Sequence, residues 1–377
     1  MKKMKNHSDI KDTNRWIIKI GSSLITKNGK GLDVARLNSW ANQISNLRDK
    51  DIEIILVSSG AVAEGMSRMG LEARPTALHE LQAAAAIGQM GLIHAWESSF
   101  QEKNLKTAQV LLTHEDFSNR QRYLNAKGTL KALIKKGVIP IVNENDAVAN
   151  EELRVGDNDS LAALVANLIE ADLMVLLTDQ RGLFKTDPRI DFSAELVEVA
   201  ELDDSDLDEM ACKTKGDIGS GGMYTKLKAA RLAERSGAAT VIGPGNEENI
   251  LNDLSNGEII GTLLLPTQET DTARKNWLAG QLQVKGKLEL DDGAVRVLVK
   301  SGGSLLAVGI KKVDGVFSRG ELVSCINKNG EEIARGLVNY SAHETQLLKG
   351  HTSSEIESIL GYIDEEELIH RDNLVLT

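Results

Sequence analysis

The chain has 377 residues, of which 41% are hydrophobic and 26% charged, as in a folded globular protein with room for two or three domains. Its formal net charge of −11 argues against general binding to nucleic acid or to anionic membranes. Two distant cysteines, no signal peptide and no membrane-length apolar run predict a cytoplasmic protein outside the membrane. The seven scattered histidines show no zinc-ligand spacing, so we expect no metal held by the protein alone.

Along the chain, the polar residues 1–14 predict a flexible tail, and short apolar runs then alternate with longer helical segments. The runs are continuously apolar, which is typical of strands buried on both faces of a sheet. The pattern therefore predicts an α/β fold around a mostly parallel sheet. The predicted strands are 16–20, 52–57, 108–113, 138–143, 173–178 and 240–242, and the predicted helices are 33–50, 77–104, 115–136, 160–169 and 225–236.

From about residue 270 the helical periodicity fades, and short β-like runs lie between glycine-rich turns. We expect a catalytic domain over 15–268 and a linker with a small β-rich domain over 269–377. The second region carries 13 basic and 17 acidic residues, which argues against RNA binding. Its predicted strands are 287–290, 294–298, 305–307, 321–326 and 333–338.

Small, hydroxyl and acidic residues follow several of the predicted strands directly, at 21–23, 58–61, 143–146 and 178–179. Such residues are common in any turn. Parallel strands, however, end at one edge of the sheet, and α/β proteins bind ligands there. Several such loops on one edge therefore indicate a binding site.

Two lysines are candidates for holding phosphate groups at that edge. Lys226 follows four glycines within residues 216–222 and lies at the start of a predicted helix, a setting suited to a nucleotide triphosphate. The same segment could instead be a flexible surface loop. Lys19 lies inside the first predicted strand, two residues before a Gly-Ser-Ser turn, and either reaches a polar cleft or extends to the edge of the sheet.

The run Gly-Asp-Asn-Asp at 156–159 precedes a predicted helix. One of Asp159 and Ser160 could simply cap that helix. We assign Asp157 and Asn158 to the two ends of a substrate, and Asp159 to orienting the two lysines. No general base or nucleophile is evident, as expected if the acceptor is an ionised carboxylate and Mg²⁺ arrives on ATP.

Six motifs, taken together, resemble the glutamate 5-kinases, which are members of the amino acid kinase family. The resemblance extends over nearly everything after residue 15, and the end of the chain resembles a PUA domain. The motifs are Lys-Ile-Gly-Ser-Ser (19–23), Val-Ser-Ser-Gly-Ala (57–61), Asn-Glu-Asn-Asp-Ala-Val (143–148), Val-Gly-Asp-Asn-Asp (155–159), Leu-Thr-Asp-Gln-Arg-Gly-Leu (177–183) and Gly-Ser-Gly-Gly-Met-Tyr-Thr-Lys (219–226).

This resemblance implies a three-layer sandwich with a PUA-like β domain, and ATP-dependent phosphorylation of the γ-carboxylate of L-glutamate, the first step of proline biosynthesis. It also implies inhibition by proline and a homo-oligomer, either a dimer or a tetramer. Lys19 and Lys226 match the phosphate-holding pair, and Ser59, Asp146 and Asn158 match glutamate-binding positions. The nucleotide-binding positions are Thr178, Asp179, Ser220, Gly221, Gly222, Met223, Tyr224, Thr225 and Lys226.

Two other functions remain open at this point. A kinase of the same fold could act on another carboxylate or on carbamate, although the 143–148 motif and the appended β domain separate it from such enzymes. The chain could also bind or modify RNA through the PUA-like region, against which its net negative charge argues.

Overall fold

The structure, a computed structural model, describes residues 4–27, 31–148, 158–213, 222–267 and 284–376. The chain divides into two compact units, Met1–Phe117 with Ala126–Thr270, and Ser118–Asn125 with Asp271–Thr377. Each unit has its own hydrophobic core. No helix in the described ranges is both long and apolar enough to cross a bilayer.

The first unit is built on an eight-stranded sheet in the order β3-β4-β2-β1-β5-β7-β8-β6. All neighbouring strands are parallel except β7 and β8, which confirms the predicted α/β class with a mostly parallel sheet. The strands are β1 Arg15–Ile20, β2 Glu53–Ser58, β3 Thr107–Leu112, β4 Ile139–Glu144, β5 Leu173–Thr178, β6 Val199–Glu201, β7 Ala239–Pro244 and β8 Thr262–Leu265.

Ten helices are described between residues 22 and 255. The predicted helix over 115–136 is two helices, because the Asn119 side chain accepts a hydrogen bond from the Arg122 N–H and caps a new start. The helices are α1 Ser22–Ile25, α2 Val34–Arg48, α3 Ala61–Met69, α4 Leu78–Gln101, α5 His114–Ser118, α6 Arg120–Lys135, α7 Asn158–Ile169, α8 Asp206–Lys213, α9 Met223–Ala233 and α10 Ile250–Ser255.

The central strand β1 is buried on both faces. Its side chains alternate, so Trp16, Ile18 and Ile20 point to one face while Ile17 and Lys19 point to the other. The first set joins the core formed with α2, α4 and α10. The second set faces α7, and so a lysine lies on the inner side of a packed layer.

The predicted flexible tail is wrong for its described residues. Residues His7–Asp12 form a 3₁₀ turn closed by a capping box, in which Asn6 accepts from the Ser8 N–H and Asp9 accepts in return. His7 and Ile10 are buried. The segment is ordered because these two side chains contribute buried surface and local polar residues satisfy its backbone.

The second unit contains a five-stranded sheet in the order β10-β9-β11-β12-β13, antiparallel except for the β9–β11 pair. The predicted strand over 294–298 is wrong: Asp291 accepts from the Ala294 N–H and starts a helix instead. Residues 305–307 likewise form no named strand. The elements are β9 Gly286–Leu290, α11 Asp292–Arg296, β10 Ile310–Gly315, β11 Leu322–Ile326, β12 Glu332–Leu337, α12 Ala342–Leu348, α13 Ile356–Leu360 and β13 Leu374–Leu376.

Candidate active site

One buried carboxylate lies between two buried lysines at the carboxyl end of the first unit's sheet. Lys19 Nζ is 2.5 Å from Asp159 Oδ1, and Lys226 Nζ is 3.0 Å from Asp159 Oδ2. The Asp159 side chain is fully buried, and the two lysine side chains are 10% and 6% exposed. Three elements contribute to the cluster: the central strand β1, the first turn of α7 and the first turn of α9.

The charges in this cluster favour an ionised Asp159. Burial by itself would raise the pKa of this carboxyl, but the ammonium groups of Lys19 and Lys226 outweigh burial, and the pKa lies below its usual value. The cluster of these three described side chains, one carboxylate and two ammonium groups, has a net positive charge. It is therefore suited to an anionic group that approaches both lysines.

A second set of polar side chains begins one residue earlier on α7. Asn158 Nδ2 donates to Ser59 Oγ at 2.9 Å and to Asn143 Oδ1 at 3.0 Å. Asn143 Nδ2 in turn donates to Gln89 Oε1 at 2.8 Å. Asn158 and Asp159 are neighbours in the chain, so the first turn of α7 connects the amide cluster to the lysine pair.

Helix packing beside this cluster is unusually close. A Cβ added at Gly65 on α3 would lie 1.7 Å from the Ala84 carbonyl oxygen on α4, and one at Gly88 would lie 1.8 Å from the Ala61 carbonyl oxygen. The two helices therefore touch backbone to backbone. This contact brings α4 close to the loop at 58–61, where Gly60 adopts a positive φ of 104°.

The described members of the predicted nucleotide-binding set lie in two segments, 178–179 and 222–226. Thr178 ends β5, which pairs with β1, and its hydroxyl donates to the carboxylate of the exposed Asp179 at 3.0 Å. Gly222 precedes α9, and Thr225 Oγ1 donates back to its carbonyl oxygen at 2.8 Å.

Within the first turn of α9, Met223 is buried, Tyr224 is 51% exposed and Lys226 points into the core. Among the described residues, no side chain caps the start of this helix. The first N–H groups of a helix are a common binding place for anions. Ser220 and Gly221 lie outside the described residues.

Of the two remaining predicted substrate residues, Asp146 and Asp157, only Asp146 lies among the described residues. Burial raises the pKa of Asp146 to about 6, and Arg74 offsets only part of this effect. A half-buried carboxyl with a raised pKa gains from a cationic partner, such as a substrate ammonium group. Asp157 lies outside the described residues.

Magnesium has no protein cage among the described residues, which contain no group of three His, Cys, Asp or Glu side chains arranged for a metal. Both carboxylate oxygens of Asp159 contact lysines.

Sequence reasoning did not identify three of the polar residues around the site. Asn143 was noted only as part of a motif, while Gln89 and Trp96 lie within a long helix. Trp96 Nε1 donates to Ser58 Oγ at 2.9 Å. The available signal was a polar residue at a core position of α4, since Gln89 follows the buried Ala85 by one helical turn.

Comparison with known proteins identifies two domains. The amino acid kinase family matches residues 14–243, and the PUA domain matches residues 286–360. A glutamate 5-kinase of Hahella chejuensis is 59% identical over 367 residues, covering 97% of this chain and 95% of that protein. A glutamate 5-kinase of Nitrosococcus oceani is 58% identical over 374 residues, covering 99% and 100%.

Among solved structures, a UMP kinase from Bacillus anthracis aligns with a TM-score of 0.47 and 17% sequence identity. The alignment covers 68% of this chain and 97% of that one. A likeness of this size carries no information about substrate.

Proposed function

Since this chain is a kinase that belongs to the amino acid kinase family, we propose that it transfers the γ-phosphoryl group of MgATP to the γ-carboxylate of L-glutamate. The products are ADP and L-glutamyl 5-phosphate. The names of the two relatives support glutamate as the acceptor.

The observation that carries this proposal is the bridging of Lys19 and Lys226 by Asp159. Transfer between two anions requires positive charge around the migrating phosphoryl group. The two ammonium groups supply that charge from two sides, and Asp159 holds them at a fixed separation. Mg²⁺ carried by ATP neutralises further phosphate charge.

The acceptor needs no general base in this mechanism. A glutamate γ-carboxylate has a pKa of about 4.3 and is ionised at neutral pH, so its oxygen attacks the γ-phosphorus directly. The bond from that phosphorus to the bridging oxygen of ADP breaks as the new oxygen–phosphorus bond forms. Catalysis then depends on holding the two groups in line and on screening their charges.

For the acceptor site we assign Ser59, Asp146, Asp157 and Asn158. The raised pKa of Asp146 supports a contact with the substrate ammonium group. Asn158 and Ser59 are hydrogen-bonded to each other, which supports their joint contact with the substrate. Because Asn158 is adjacent to Asp159, the acceptor lies next to the phosphate-holding lysines.

For ATP we assign the start of α9, with Ser220 to Lys226, and the end of β5, with Thr178 and Asp179. The start of α9, which no described side chain caps, and Lys226 in its first turn support phosphate binding there.

We further propose that the reaction is the first step of proline biosynthesis and that proline inhibits it by binding at or near the glutamate site. We also propose that the protein is a cytoplasmic homo-oligomer. These rest on the glutamate 5-kinase relatives and on the sequence resemblance. RNA is not proposed as a partner, since residues 269–377 carry more acidic than basic side chains.

The test is ADP release by the purified chain with MgATP and, in turn, glutamate, aspartate, N-acetylglutamate and bicarbonate with ammonia, each with and without proline. We expect turnover with glutamate that proline reduces. Turnover with another acceptor alone would refute glutamate while keeping the kinase. The variant Lys226→Ala should lose at least about a hundredfold in kcat with its fold intact, and near-normal turnover would remove Lys226 from the mechanism.

A further inference from the structure

Gln89 is a polar residue in an apolar position of helix α4. It is 9% exposed, between the buried Gly88 and the exposed Met90, on the face that packs toward the sheet. A buried amide costs free energy unless its polar atoms are hydrogen-bonded. Methionine or leucine would fill a similar volume without that cost, so the amide needs an explanation beyond packing.

The hydrogen bonds of Gln89 are one-sided. Its Oε1 accepts from Asn143 Nδ2 at 2.8 Å, whereas nothing in the described part of the chain accepts a hydrogen bond from its buried Nε2. The unpaired Nε2 therefore lowers the stability of the folded protein, while Oε1 is held by its hydrogen bond to Asn143. Asn143 is itself only 3% exposed and lies near the end of β4.

The chain of amides has a defined polarity. Because Gln89 presents an oxygen, Asn143 turns its nitrogen toward Gln89 and its oxygen toward Asn158. Asn158 then uses its nitrogen for Asn143 and for Ser59 Oγ. Its nitrogen also lies 3.5 Å from the Ser58 carbonyl oxygen, which can only accept.

This polarity decides what the site offers a substrate. With the Asn158 nitrogen engaged inside the protein, its Oδ1 remains as an acceptor. Ser59 Oγ accepts from Asn158, so its own proton remains to be donated. A reversed set of amides would exchange these roles and offer the wrong group to a carboxylate or an ammonium group.

Helix α4 holds the site at a second point as well. Trp96, two helical turns after Gln89 on the same face, donates from Nε1 to Ser58 Oγ at 2.9 Å. One rigid helix thus fixes the end of β2 through Trp96 and the end of β4 through Gln89.

We propose that Gln89 is a positioning residue for the acceptor site, acting through Asn143 to orient Asn158 and Ser59. This inference rests on the proposed binding of glutamate by those two residues. Gln89 does not touch the substrate in this role, and its effect is on acceptor binding rather than on the phosphoryl-transfer step.

The experiment is a double-mutant cycle with Gln89→Met, Asn158→Ala and both together, read as the KM for glutamate, the KM for ATP and kcat. We expect Gln89→Met to raise the glutamate KM about tenfold and to change the ATP KM and kcat by less than about twofold. In the Asn158→Ala background, Gln89→Met should change the glutamate KM by less than about twofold.

The matched control is the substitution Gln43→Met. Gln43 is also a buried glutamine, and its Oε1 accepts a hydrogen bond from the Leu251 N–H. The substitution should leave the glutamate KM unchanged. If Gln89→Met does not fold, Gln89→Leu removes the same acceptor and replaces it in the cycle. Equal effects of Gln89→Met in both backgrounds, or equal losses for ATP and glutamate, would overturn the proposal.

The parent enzyme separates this proposal from the proposed function. If the parent phosphorylates a different acceptor, glutamate fails as the substrate, and the same cycle measured on that acceptor still decides the role of Gln89. If the parent phosphorylates no acceptor, both proposals fail together. If the parent uses glutamate and the cycle shows no coupling, only the role of Gln89 fails.

Discussion

Replacing Asp159 with asparagine removes the carboxylate charge that bridges Lys19 and Lys226. The variant keeps the shape of the side chain, but its NH₂ group faces one of the two ammonium groups, donor against donor. At an effective dielectric constant of about 20, a charge pair at 3 Å is worth roughly 5 kcal/mol before desolvation. Removing one partner of a buried pair costs about 3–5 kcal/mol net.

For a unit of this size, 1 kcal/mol shifts the melting temperature by about 2–4 °C, so Asp159→Asn should melt roughly 10 °C lower. Turnover should fall at least about a hundredfold because the lysines lose their alignment. MgATP without glutamate should raise the melting temperature more in the variant than in the parent. The phosphates then supply the countercharge that Asp159 no longer provides.

The assays are thermal unfolding with and without MgATP, and ADP release with glutamate. The control is Asp208→Asn, the same substitution in the partly exposed pair with Arg231, which should change melting only slightly. Wild-type melting and near-normal turnover in Asp159→Asn would refute the reasoning. Loss of ATP binding in proportion to kcat would show that Asp159 does more than orient the lysines.

The same carboxylate predicts a pH dependence of stability. The pKa of Asp159 is lower in the folded than in the unfolded chain, so the unfolded chain binds more protons between the two values. Its contribution is present above about pH 4 and is lost as the pH falls through the folded pKa. Asp159→Asn should lack this component of acid unfolding.

Three further predictions concern other parts of the protein. Asp146, whose pKa is raised to about 6, must be ionised to bind an ammonium group. The KM for glutamate should therefore rise about tenfold from pH 7 to pH 5. A KM that does not change with pH would show that Asp146 does not make this contact. Gly65→Ala should lower the free energy of unfolding by about 1–3 kcal/mol or more, because its Cβ would lie 1.7 Å from a backbone oxygen. The control Gly128→Ala, whose Cβ would have nothing within 4 Å, should not destabilise the protein. Equal effects of the two substitutions would contradict the close helix contact. A chain ending at residue 268 should keep glutamate-dependent turnover, and a folded but inactive product would place the β domain within the active unit.

The strand order could not be read from the sequence, although the elements largely could. Mostly apolar runs predicted β1, β2, β3, β4, β5 and β7, because a strand buried on both faces leaves few polar positions. The edge strand β3 is the exception, since only Leu112 of its residues is buried. β6 and β8 are only three and four residues long, too short to show a pattern. The prediction of a strand over 294–298 was wrong because Asp291 caps the start of a helix there.

The candidate site was predictable where residues have unusual chemistry for their position. Lys19 is a charge in an apolar strand, and Lys226 follows a glycine cluster; both features are local. The contact of each with Asp159 remained a hypothesis, since Lys226 and Asp159 are 67 positions apart. Gln89 gave only the weaker signal of an amide one helical turn after Ala85, and such an amide reads as an ordinary exposed residue until its burial is known.

By itself, the sequence determined the α/β class and predicted a site at the carboxyl edge of the sheet, since apolar periodicity and the residues that follow each strand are local properties of the chain. Only the tertiary structure decided that one carboxylate spans two lysines and that helix α4 lies against α3 closely enough to reach Asn143. The physical reason is range: hydrogen bonds and ion pairs act over about 3 Å in space, whatever the separation of their partners along the chain.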